Sequence, residues 1–151
     1  MLNTVLVALD LTANAAIAKS SAELSEQVLN TLEQLQLESR SKVVLSHVIP
    51  SNQSEVEEVV DRPATDVEPF PYSQIEQQLQ TYQRRLGCSS SVEIVTGDPA
   101  EEIVRLAQIH NADLIVLGSR GLTGMKRILL GSVSSQIVED APCSVLVVKP
   151  K

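Results

Sequence analysis

Five short apolar runs punctuate this chain, and longer segments of helical spacing separate them. Thr4-Val-Leu-Val-Ala-Leu9, Lys42-Val-Val-Leu-Ser-His-Val-Ile49, Ser91-Val-Glu-Ile-Val-Thr96, Asp113 to Leu117 and Ser144-Val-Leu-Val-Val-Lys149 each read as a strand. Between the first two, Thr12 to about Leu37 places Ala16, Leu24, Val28, Leu32 and Leu35 on one broad stripe, which predicts a helix. Tyr72 to Leu86 is polar, but Ile75, Leu79 and Leu86 recur on one side, and Gly87 closes it. Gly97-Asp98-Pro99 turns the chain into a third helix through about His110, with Pro99 at its first position. A fourth helix opens at Ser132. Residues 50–71 hold four of the seven prolines and many acids, which predicts a loop.

The predicted order is β-α-β-α-β-α-β-α-β in one domain spanning residues 1–151. Continuous apolar strands alternating with helices imply an α/β fold, a parallel sheet covered on both faces. Right-handed crossovers then place a ligand crevice outside the carboxyl ends of the strands, at a switch point in the topology. The first strand would end at Asp10, the second near His47-Val48 and the fourth at Gly118.

The connection after the fourth strand carries the strongest chemical signal. Gly118 and Gly121 are followed nine residues later by Gly131-Ser132. Glycines at a strand end let the backbone come close to a ligand. A helix starting at Gly131-Ser132 aims unpaired N–H groups and a positive dipole end at the same place, which suits a phosphate. Ser132 adds a hydroxyl donor. Ser134 either assists or stands exposed in the first turn. Arg120, Lys126 and Arg127 lie in this connection, and no acid occurs from residue 114 to residue 138. Triphosphate contact and a solvated basic face both account for them, with Arg120 the foremost contact candidate.

Composition narrows the partners. A formal net charge of −7 opposes binding to nucleic acid and to anionic lipid surfaces. Aromatics are only 2%, which leaves few platforms for stacking bases. Hydrophobic residues at 43% and charged residues at 21% fit a folded globular chain with a core of Val, Leu, Ile and Ala. Cys88 and Cys143, without CxxC or paired-His spacing, read as free thiols of a reducing compartment. No apolar run approaches the roughly 20 residues of a spanning helix, and the N-terminus lacks a signal-peptide pattern, so a cytoplasmic location is expected.

These residues resemble the ATP-binding branch of the universal stress protein family. The match is the spacing G-x2-G-x9-G-[ST] at Gly118, Gly121 and Gly131-Ser132, with Asp10 after the first strand. His47-Val48, Gly97-Asp98-Pro99 and the closing Ala-Pro-Cys-Ser-Val-Leu-Val-Val extend the similarity along the chain, most strongly over residues 94–149. The resemblance implies a Rossmann-like, adenine nucleotide alpha hydrolase-like three-layer sandwich. Its five-stranded parallel sheet would have the order 3-2-1-4-5. It also implies ATP as ligand, with Ala8, Leu9, Asp10, Val48, Leu117, Gly118, Arg120, Gly121, Gly131, Ser132, Val133 and Ser134 around it. The Val48 backbone would read the adenine edge.

Asp10 is a candidate to hold Mg²⁺ through the nucleotide phosphates or to bind the nucleotide itself. Its ordinary alternative is helix capping, a task open to Thr12 as well. His47, with no carboxylate or cysteine close in sequence, reads as a packed histidine rather than a general base. The order 3-2-1-4-5 leaves the last strand at the sheet edge, so Val145 to Val148 are expected to form a homodimer seam.

The function expected is a nucleotide-sensing regulator of stress response with an unidentified protein partner and at most slow ATP hydrolysis. No P-loop lysine or Ser-His-Asp set is evident. Two alternatives stand beside it: a pyrophosphatase or nucleotidyl transferase, and a module for AMP or cyclic AMP. The enzyme alternative calls for a Ser- and Gly-rich loop after the first strand, where this chain has Asp10-Leu-Thr-Ala-Asn-Ala.

Overall fold

The protein is described as a computed structural model over residues 2–11, 15–50, 70–118 and 131–149. The elements are β1 (Thr4–Ala8), α1 (Ala15–Gln34), β2 (Lys42–Pro50), α2 (Phe70–Gln83), β3 (Ser89–Gly97), α3 (Pro99–Ile109), β4 (Leu114–Gly118), α4 (Ser132–Asp140) and β5 (Ser144–Val148). The strands form one sheet in the order β3-β2-β1-β4-β5, and every neighbouring pair is parallel. The expected α/β architecture and strand order are both present.

Strand alternation divides the core in two. Val5, Val7, Val43, Leu45, Leu114 and Val116 face α1 and α2, meeting Val28, Leu29, Leu32, Ile75 and Leu79. Leu6, Val44, Ile115 and Leu117 face the opposite way, onto Ile103, Leu106 and Ala107 of α3 and Ile137 of α4. Both sheet faces are thus covered, which is why the strands read as unbroken apolar runs rather than as alternation. The stripe on α1 buries Leu24, Val28 and Leu32 as its spacing predicts.

Element ends shift where pairing or capping overrules local pattern. β3 begins at Ser89 because Ser89 and Ser90 pair with Lys42 and Val43, a ladder that composition does not reveal. β2 continues past His47-Val48 to Pro50, which faces Gly97 at the end of the ladder. β1 stops at Ala8, short of the apolar run's end. Asp113 precedes β4 and turns its carboxylate on β1, accepting from the N–H groups of Asn3 and Thr4 at 2.9 Å each. At the start of α3, Asp98 accepts from Glu101 N–H at 3.0 Å, with Pro99 next to it as expected. The expected 50–71 loop lies almost wholly outside the described residues.

Candidate functional site

The crevice arises from the topology. β1 lies between β2 and β4, and its chain leaves towards α1 on one face while β4 leads to α4 on the other. The carboxyl ends of β1 and β4 therefore lie side by side at the switch point of the topology, where a ligand crevice is expected in such a sheet. Register sets Ala8 beside Leu117 across that edge. Leu9 and Asp10 follow directly. Leu9 is buried and Asp10 exposed.

The start of α4 forms the opposite wall. Gly131 is its N-cap residue and, as glycine, brings no side chain to cap the helix. Its φ of −70° and ψ of 167° are ordinary extended values, so the conformation itself does not call for glycine. What glycine supplies here is the lack of a side chain beside the first-turn N–H groups of Ser132, Val133 and Ser134. That turn carries no acid to occupy the dipole end.

Ser134 ties the two walls together. It is buried, and its hydroxyl donates to the Gly118 carbonyl at 3.1 Å. The exposed first-turn alternative is thereby corrected, since this side chain points inward because the end of β4 offers it an acceptor. Ser132 and Val133 are exposed at the helix start. Arg120, Gly121, Lys126 and Arg127 lie outside the described residues.

Two neighbours in the structure were not signalled by spacing. A Cβ on Gly118 would lie 2.6 Å from Leu24 Cδ2 and 2.8 Å from Leu24 Cγ. Packing of α1 on β4 therefore requires glycine at this position, independently of any ligand. Ser46, fully buried within an apolar run, donates to the Val7 carbonyl at 2.9 Å. Its only sequence signal is a hydroxyl among aliphatic residues.

His47 is buried, as a packed histidine should be, and its partners lie in the segment after β1. Its Nδ1 stands 2.9 Å from the Leu9 carbonyl and 3.3 Å from the Leu11 N–H nitrogen. One nitrogen cannot serve both groups, and the shorter contact requires a proton on Nδ1, donated to Leu9. Burial pushes the imidazole pKa down, more than the Leu9 contact raises it. Val48 is buried beside Val44 in the α3 side of the core. Among the described residues no group of three or more His, Cys, Asp or Glu side chains could hold a metal, and no helix is long and apolar enough to cross a membrane.

Residues 1–149 match the sequence profile of the universal stress protein family. The chain belongs to that family. A universal stress protein of Methanocaldococcus jannaschii is 51% identical over 63 residues, which is 42% of this chain and 37% of that protein. A second from the same organism is 48% identical over 58 residues, or 38% of this chain and 36% of that protein. These local matches span well under half of the relatives' own length.

Over nearly the whole fold, this universal stress protein superposes on the solved structure of that second relative with a TM-score of 0.78 and 28% identity, covering 99% of this chain and 96% of the other. A family member from Arabidopsis thaliana, solved with AMP bound, gives a TM-score of 0.64 at 24% identity, with 99% and 92% coverage. Other family structures were solved with cyclic AMP, and with dAMP in Archaeoglobus fulgidus, at TM-scores of 0.63.

Proposed function

We propose that this universal stress protein binds an adenine nucleotide, ATP foremost, in the crevice between the ends of β1 and β4 and the start of α4. The observation that carries the reading is the N-terminus of α4, which starts at Gly131 with no capping side chain of its own and is held against β4 by Ser134. Such a terminus offers N–H donors and partial positive charge to a phosphate. Relatives solved with AMP, dAMP and cyclic AMP support adenine as the base.

In this reading the backbone of Ala8, Leu9, Leu117 and Gly118 lines the floor. Val48 reads the adenine edge, and Asp10 faces the phosphates or a Mg²⁺ they carry. Mg²⁺ is commonly bound through one or two carboxylates plus substrate phosphates, so a single aspartate suits it. Gly131, Ser132, Val133 and Ser134 supply the helix terminus, while Arg120 and Gly121 belong to the connection before it. With Ser134 already donating to Gly118, its backbone N–H is the group available to a phosphate.

The protein acts as a nucleotide-sensing regulator of stress response in the cytoplasm, with slow hydrolysis at most. It works as a homodimer. β5 has a single neighbour in the sheet, and Val145, Leu146 and Val147 along it are only partly buried. A second copy pairing there would cover that edge.

Calorimetry across ATP, ADP, AMP and cyclic AMP, with and without Mg²⁺, tests the proposal. ATP is expected to bind tightest, and Gly131→Val or Ser132→Ala to weaken it with the fold intact. Gly131→Val is suited to the purpose because valine adopts the observed dihedrals. Equal affinity for wild type and both variants would overturn the phosphate site. Tighter binding of cyclic AMP or AMP would favour the monophosphate reading, and rapid turnover an enzyme. Sedimentation as a monomer would remove the β5 seam.

A further inference from the structure

We infer that His47 is the positioning residue of the turn leaving β1, and that through the Leu9 carbonyl it sets the place of Asp10 at the crevice. The inference rests on the nucleotide reading above and assigns a residue that acts on that site from within the core.

The backbone around Asp10 needs an outside support. Ladder pairing of β1 ends at Ala8, and the next residue is held differently. Leu9 N–H donates to the Ser46 carbonyl at 2.9 Å, and the Leu9 carbonyl lies 2.9 Å from His47 Nδ1. Consecutive residues of β2, one by main chain and one by side chain, thus fix both polar groups of Leu9. The same imidazole nitrogen stands 3.3 Å from Leu11 N, on the far side of Asp10. Leu9 and Leu11 are 5% and 6% exposed, while Asp10 between them is exposed. The turn is held at its Leu9 flank by two consecutive residues of β2, and Asp10 just beyond it is exposed.

An aliphatic side chain would fill the His47 position without the cost of burying an imidazole. The histidine supplies what an aliphatic residue cannot, a donor for a carbonyl beyond the ladder's reach. Without that donor the buried carbonyl is unsatisfied, and the turn can recover a partner only by moving. Movement at Leu9 shifts the adjacent Asp10.

The test is ATP titration calorimetry with Mg²⁺ on the full chain as wild type, His47→Leu and His47→Asn, each also combined with Asp10→Ala. Asparagine places an amide donor close to where Nδ1 lies. We expect His47→Leu to weaken ATP binding about tenfold, the scale of one hydrogen bond. His47→Asn should stay within about twofold of wild type. In the Asp10→Ala background, His47→Leu should cost clearly less than tenfold, since coupled positions are not additive. A purely structural histidine would lower the melting temperature and leave the affinity of the folded protein unchanged. Wild-type affinity in His47→Leu overturns the inference, and so does an undiminished tenfold loss in the Asp10→Ala background. If His47→Leu does not fold, His47→Gln, whose longer amide overshoots the carbonyl, takes its place with the same expectations. Absence of ATP binding in the wild type itself sinks the nucleotide reading, and this assignment with it.

Discussion

Leu24 of α1 occupies the space that a side chain on Gly118 of β4 would need, with its Cδ2 only 2.6 Å from the position of that Cβ. The glycine that looks most like a ligand contact is thus also a packing residue. Gly118→Ala should destabilise the fold by about 1–3 kcal/mol, the usual cost of overfilling a core. Leu24→Ala should cost less in that background than alone, by at least about 0.5 kcal/mol, because the two changes share one space. Urea unfolding of the four proteins measures the coupling, and strict additivity would refute the steric account.

Ser134 connects the start of α4 to the end of β4 through a buried hydrogen bond. Ser134→Ala removes that donor and should lower stability by about 1 kcal/mol. Chemical denaturation at neutral pH is the measurement. An unchanged midpoint would show that Gly118 finds another partner.

His47 makes stability depend on pH in a defined direction. Its folded pKa lies below the ordinary 6.5, chiefly through burial. Above 6.5 the imidazole is neutral in both states and carries no charging penalty. As pH falls below 6.5, the unfolded chain binds a proton that the folded protein resists, so stability declines until the folded pKa is reached. The slope from this group cannot exceed about 1.4 kcal/mol per pH unit. His47→Asn should flatten the stability profile over that interval relative to wild type. Parallel profiles would remove His47 as the cause.

Asp113 acts in the carboxylate sense. The N–H groups of Thr4 and then Asn3 hold its pKa below the ordinary 3.8. Its stabilisation is complete above 3.8 and disappears as pH falls through the folded value. Asp113→Ala should lower the melting temperature at neutral pH, and the gap from wild type should close in strong acid. A gap independent of pH would mean that the charge is immaterial.

Much of the fold was legible in the chain. Apolar runs marked all five strands, Pro99 after Asp98 marked the start of α3, and stripes such as Leu24-Val28-Leu32 marked the buried helix faces. Strand order followed from resemblance and is borne out by the sheet. The less legible boundaries were those set by a distant partner. Ser89 and Ser90 are strand only because β2 runs beside them.

The candidate site divides the same way. Spacing alone singled out Gly118, Gly131 and Ser132, because glycine and hydroxyl positions at a strand–helix junction are local properties of the chain. It left open whether Ser134 faces inward or outward, and could not show that Gly118 is claimed by Leu24 or that His47 holds the carbonyl of Leu9. Those facts depend on residues from separate elements, 16, 94 and 38 positions apart, meeting at one edge of the sheet. The sequence determined which segments alternate and which residues are the candidates for a phosphate cradle. The tertiary structure decided what each polar group there touches, because hydrogen-bond partners and steric neighbours are fixed only when the crossovers bring the strand ends together.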